Sequence, residues 1–144
     1  MPAQKTTSII AGILAALLPA THALAQDAIE QNVAIELNKL EELDNGCRAY
    51  LKIENARAEA FNSLELDLVT FQPDGVIGSQ FLVELAPVPA NKTVVKPFEL
   101  QSVTCASIAS VLLNDVPTCM TSANPPSACI DVVDVTSLTS KFWK

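Results

Sequence analysis

From Gln31 onward apolar residues recur mostly at every second position, the period of a strand with one buried and one wet face. Val33, Ile35 and Leu37 form the first such face. Ile29, Val33, Leu37 and Leu40 also share a helical spacing, so this stretch admits either element. Cys47, Ala49, Leu51 and Ile53 alternate with Arg48, Tyr50, Lys52 and Glu54, which predicts a strand giving way to a polar connection at Asn55. Ser63 to Phe71 predicts another, with Leu64, Leu66 and Leu68 inward and Glu65 and Asp67 outward. Val69 and Phe71 then take the outward positions, so the far end of this strand is expected to be covered on both sides.

Gln72-Pro73-Asp74-Gly75 is a turn sequence, because Pro presets φ and Gly accepts the positive φ that closes the turn. It predicts a hairpin whose return strand is Val76 to Leu85. A Pro-rich loop, Ala86 to Asn91, leads into a strand over Lys92 to Leu100, which Pro97 confines to a sheet edge or a bulge. Ser107 to Ala109 is expected to form a short helical turn, Ser110 to Asn114 a buried strand and Ile130 to Leu138 the last strand. Short strands at near-even spacing predict an all-β domain: an immunoglobulin-like β-sandwich of about seven strands, with a small β-barrel as the alternative.

The first residues break this pattern. Lys5 precedes an unbroken apolar run from Ile9 to Leu18, extended through Pro19 to Ala20, and Ala23 and Ala25 flank Leu24. The run is too short for a membrane span, which needs about 20 residues. Residues 1–25 therefore read as a secretory signal peptide and 26–144 as the mature β domain, with a retained N-terminal anchor as the alternative. No Cys follows the apolar run and no Arg pair precedes it, which fits general secretion. The expected address is a bacterial periplasm, or beyond it as a secreted protein, with no stable membrane insertion after cleavage.

Removing Lys5 with the signal takes the net charge from −7 to −8, since all 16 acidic residues lie later. Nucleic acid and anionic membrane surfaces are poor partners for such a chain, and a basic protein is a permitted one. His22, the single histidine, also leaves with the signal. The mature chain then lacks the histidine of a Ser-His-Asp or Cys-His apparatus and of any His-containing metal site. No catalytic residue, cofactor or metal is expected, and the reading is that this is not an enzyme.

Four cysteines remain, Cys47, Cys105, Cys119 and Cys129, with no Cys-x-x-Cys spacing. An even count in an oxidising compartment reads as two disulfides with three possible connectivities. We take Cys47–Cys105 and Cys119–Cys129, because the second pair would staple the aperiodic loop MTSANPPSA. In the chain-entropy description the pairs are worth about 4 and about 3 kcal/mol. A four-thiolate zinc site is the alternative, disfavoured by the absence of paired short spacings.

Asp115, Asp131 and Asp134 offer calcium-type oxygens, but residues three apart on a strand point to opposite faces and no Asp-x-Asp-x-Asp-Gly loop exists. Asn91-Lys92-Thr93 matches a glycosylation sequon of consequence only in a eukaryote. Glu41, Glu42 and Asp44 cluster near a turn and Glu65 and Asp67 share a strand face, which solvated charge explains. Phe142 and Trp143 have little chain beyond them. They either cap the sandwich or present an anchor to a partner, and are the candidate partner-binding residues.

The strings GCRAYLKIEN, SLELDLVTFQPDGVI and PVPANKTVVKPFEL, with Cys105 ahead of SVLLND, resemble a family of small exported proteins of alphaproteobacteria. The likeness runs from Asn45 to Asn114 and consists of strands and turns. It implies an immunoglobulin-like sandwich of the kind found in bacterial envelope proteins. In immunoglobulin domains proper the disulfide joins two core strands around a Trp, whereas here Cys105 falls in a connection and Trp143 at the tail.

The expected function is that of a non-catalytic periplasmic protein that binds another envelope protein, as an adaptor or accessory subunit. An inhibitor of a basic secreted enzyme such as a lysozyme is the alternative. A carboxylate-only hydrolase ranks below both, because a sugar-sized cleft lined by aromatics is hard to furnish from one Trp and one Tyr. N-terminal sequencing of the exported protein is expected to begin at Gln26; a start at Met1 would sink the signal-peptide reading.

Overall fold

A computed structural model describes residues 2, 32–123 and 128–144. The proposed signal peptide, residues 1–25, lies outside the described residues except for residue 2. Those described form eight strands in two four-stranded sheets. In chain order they are β1 (Val33–Leu43), β2 (Gly46–Asn55), β3 (Phe61–Phe71), β4 (Ile77–Glu84), β5 (Lys92–Gln101), β6 (Ser110–Thr121), β7 (Val133–Ser137) and β8 (Lys141–Trp143). The first sheet has the order β5-β2-β1-β7 and the second β4-β3-β6-β8. Both sheets have open ends, so the chain is a β-sandwich and the barrel alternative falls.

The core lies where the inward faces meet. Val33 and Ile35 on β1, Leu51 and Ile53 on β2, and Leu64 and Leu66 on β3 are all at most 1% exposed. These residues alternate with wet ones along each strand, and excluding them from water is the main force bringing the sheets together. The cavity between Leu37, Leu51, Leu68 and Phe142 holds only about 10 Å3, so the interior is packed there.

Val33 to Leu43 is a strand rather than a helix, and a bulge explains the mixed spacing. Leu37 pairs with Leu51 and Lys39 with Tyr50, leaving Asn38 as an extra residue. The inward phase passes from Val33, Ile35 and Leu37 to Leu40 and Glu42. The Glu42 carboxylate then accepts the Cys105 N–H at 2.8 Å.

Cys47 is bonded to Cys105 and Cys119 to Cys129, the pairing expected from the sequence. The first bond ties β2 to the link after β5, and the second ties β6 to the segment before β7. Two disulfides in so small a chain fit folding outside the reducing cytoplasm.

Elsewhere the outline shifts. The helical turn occupies Cys105–Ser107, two residues earlier than expected. β6 continues past Asn114 to Thr121, because irregular pairing with β3 accommodates Asp115 and Pro117. The predicted strand Ile130 to Leu138 splits into a 3-10 turn, Cys129–Val132, and β7, since Val132 and Val133 are both buried and alternation fails there. A further strand, β8, follows, so eight strands replace about seven.

Strands β1 to β6 follow immunoglobulin-type connections: β1, β2 and β5 neighbour one another in one sheet, and β4, β3 and β6 in the other. The last segment departs from that plan. β7 runs parallel to β1, and the chain then crosses so that β8 runs parallel to β6.

Gly46 sits in the β1–β2 turn at φ 154°, where an added Cβ would lie 2.4 Å from the Leu100 carbonyl oxygen. Neither the backbone conformation nor that carbonyl accommodates a side chain. Gly46→Ala is expected to lower stability by about 2 kcal/mol or more in urea titration; an unchanged midpoint would contradict this packing of β2 on β5.

Candidate binding surface on the second sheet

The two outer faces of the sandwich handle charge differently. On the first sheet Arg48 bridges Glu41 at 3.2 Å and Glu99 at 2.7 Å. Lys39 reaches Glu41 at 3.2 Å, Lys52 stands 4.0 Å from Glu36, and the Tyr50 hydroxyl donates to Glu41 at 2.6 Å. Hydrogen bonding from Tyr50, then from Lys39, holds the Glu41 carboxyl below its ordinary value, and Glu99 raises the Arg48 guanidinium. Lys39, Arg48 and Lys52 of this face thus each meet an acid of their own or an adjacent strand.

On the second sheet the one lysine of its strands, Lys141 of β8, sits over Trp143, and the acids have no basic partner among the described residues. Asp67 on β3 lies opposite Leu82 of β4 and Asp115 of β6, and Glu65 lies opposite Glu84. Asp67 accepts from the Gln80 amide at 2.9 Å and the Asn114 amide at 2.7 Å, both neutral donors. Among the described residues no lysine or arginine lies within ion-pair distance of Glu65, Asp67, Glu84 or Asp115.

Beside this acidic strip the same face turns apolar. Val69, Leu112 and Trp143 are register neighbours across β3, β6 and β8, and Phe71 lies opposite Ile77. The Phe71 and Trp143 rings are 6.2 Å apart, and the Lys141 ammonium sits 5.3 Å from the Trp143 ring centre. Trp143 is 36% exposed and Ile77 62%. Of the two terminal aromatics, Phe142 points into the core at 7% exposure while Trp143 lies on this outer surface. The covering expected for Val69 and Phe71 is therefore supplied by Leu112, Trp143 and Ile77.

The sides of the sandwich also differ. Along one, residues 138–140 carry the chain between sheets: the Leu138 N–H donates to Leu37 O and the Ser140 hydroxyl to Ile108 O. Lys144 donates to the carbonyls of Ile130 and Val133. Along the other, the terminal strands β4 and β5 border a cleft of about 400 Å3. Phe81 and Phe98 line it, with ring centres 5.7 Å apart.

The other sequence candidates disperse. Asp131 lies on the 3-10 turn, Asp134 on β7 binds Asn32 and Lys144, and Asp115 is on the second sheet. Among the described residues no three His, Cys, Asp or Glu gather as metal ligands. Asn91 turns the chain into β5 at φ 50°, its N–H donating to Arg57 O. Sequence reasoning does not single out Leu112, Ile77, Phe81 or Phe98. The outward phase of Val69 and Phe71 is the legible signal for that face, and the cleft aromatics leave none.

Fold and site define the class as a two-sheet β-sandwich with immunoglobulin-type connections and one acidic and apolar outer face. No protein-family model matches the chain, and no curated protein matches it significantly. Among solved structures it is similar to IrmA from Escherichia coli, with a TM-score of 0.53 at 17% identity, covering 73% of this chain and 91% of that one. At that identity the likeness concerns the fold. None of the helices among the described residues is long and apolar enough to cross a membrane.

Glu84 gives this face a pH dependence. Burial pushes its carboxyl upward, but donation from the Ser63 hydroxyl and from the N–H groups of Leu64, Ala86 and Leu85 outweighs that and holds it below its ordinary value of 4.5. Its bonds therefore stabilise the fold fully above the unfolded value and lose that effect as pH falls through the folded one. Between about pH 6 and about pH 3 the urea midpoint is expected to fall more steeply for the native protein than for Glu84→Gln. Equal slopes would refute the assignment.

Proposed function

We propose that this chain is an exported, non-catalytic β-sandwich that acts in the bacterial envelope by binding another protein, as an adaptor or accessory subunit. The observation that carries this is the outer face of the second sheet, where an apolar row ending in exposed Trp143 adjoins four carboxylates without counter-ions among the described residues. On the opposite face of the same molecule Lys39, Arg48 and Lys52 are each paired with acids. Tryptophan in an apolar patch rimmed by charge is a common anchor of protein interfaces. The two disulfides support an oxidising address, and the signal-like N-terminus supports the periplasm. The resemblance to small exported alphaproteobacterial proteins supports the same setting.

The counter-ion-free acids favour a basic partner, which keeps inhibition of a basic secreted enzyme such as a lysozyme as a second reading. The two readings separate in an activity assay, because an adaptor leaves lysozyme turnover unchanged and an inhibitor lowers it in proportion to the amount added.

Crosslinking and capture from periplasmic extract is expected to recover a specific partner with the native protein. Trp143→Ala should reduce recovery by about tenfold or more while the melting temperature holds. Repeated failure to recover a specific partner would overturn the proposal.

A further inference from the structure

Resting on that protein-binding reading, we infer that the free edge of β4 is a strand-addition site for an extended, cationic segment of the partner. Sheet ends carry unpaired N–H and C=O groups, and proteins normally protect them with lysines, prolines or inward charges. β5, the end of the first sheet, has those devices: Lys92, Lys96 and Pro97, with Lys96 opposite core residue Leu51. β4, the end of the second sheet, has neither a charge nor a proline from Ile77 to Val83. Its neighbouring edge is thus guarded while it is not.

Its backbone groups are oriented for pairing. The Leu85 N–H donates to Leu64 O, and hydrogen-bonded pairs alternate along an antiparallel ladder, so Val83 and Phe81 face β3. The backbone groups of Gln80, Leu82 and Glu84 then face away from the sheet. A ninth strand laid here would put one set of side chains over the cleft lined by Phe81 and Phe98. The other set would extend the outer face beside Leu82, which is 61% exposed, and Glu84.

Those surroundings specify the occupant. The cleft side presents Phe81, Phe98, Leu100 and Val103 between polar neighbours Ser79 and Gln101, and the outer side carries Glu65, Asp67 and Glu84 without lysine or arginine partners among the described residues. The complementary segment alternates apolar residues, facing the cleft, with Lys or Arg, facing the acids. A second copy of this chain fits poorly, because its net charge is −7 and pairing through β4 would bring two acidic faces alongside each other.

The probe is a synthetic peptide of about nine residues alternating Val and Lys, titrated into the full-length protein by calorimetry. Two controls remove different contributions. A peptide of the same composition with Val and Lys in separate blocks keeps the charge and loses the alternation. N-methylation at alternate residues removes the backbone donors that face β4 and keeps both charge and pattern. Leu82→Pro deletes an outward N–H without touching the ladder to β3, a place where proline is tolerated. Each change is expected to weaken binding by about tenfold or more, with the melting temperature of the variant within a few degrees of native.

The inference is overturned if N-methylated and unmodified peptides bind equally, a result independent of how the variant folds. Equal binding to folded Leu82→Pro overturns it as well. So does sedimentation showing a dimer of the free protein that Leu82→Pro dissociates, since the occupant would then be a second copy. Partner capture that depends on Trp143 but not on Leu82 would leave the protein-binding reading standing while this one falls. Failure to capture any partner would remove that reading whatever the peptide does.

Discussion

The crossing at residues 138–140 ties the two sheets along one side, and the arrangement of exposed groups depends on it. By delivering β7 beside β1 and β8 beside β6, it covers one end of each sheet. The opposite ends, β4 and β5, are joined by residues 85–91, and among the described residues no further strand covers either of them. Phe81 and Phe98 meet between these two edges, one from each sheet. One side of the sandwich thus ends in the parallel additions β7 and β8 and the other in the uncovered edges β4 and β5, and the face with Trp143 runs from the first to the second.

Charge follows the same polarity. The first sheet pairs Lys39, Arg48 and Lys52 with its own acids. The second sheet satisfies Asp67 with amides and Glu84 with a hydroxyl and backbone N–H groups, which leave the negative charge in place. The net charge of the chain therefore understates how uneven its surface is. Long-range attraction of a cation would be strongest on that face and screened by salt within about 10 Å.

Much of this is legible in the alternation of the sequence, and the failures have physical causes. β2 and the middle of β3, Leu64 to Leu68, obey strict alternation and can be read nearly residue for residue. β1 mimics a helix because the bulge at Asn38 moves the inward phase from Leu37 to Leu40, and a bulged strand and a helix share that spacing. The far half of β6 escapes detection because its buried residues Leu113, Val116 and Cys119 stand three apart, which no two-residue period detects. Of the site, Trp143 and the outward pair Val69 and Phe71 are visible beforehand. Ile77 and Leu112 are not, because only the register shows which strands are neighbours.

The parallel pairing of β7 with β1 has a consequence for how the molecule is made. Val33 meets Val133, its register partner, only after all the intervening positions have emerged. Contacts of such long range carry a large loop-closure cost and slow folding. The early strands must therefore wait, incompletely covered, for the end of the chain. Closure of the sandwich is thereby held back until β7 and β8 can pair with strands formed far earlier in the sequence.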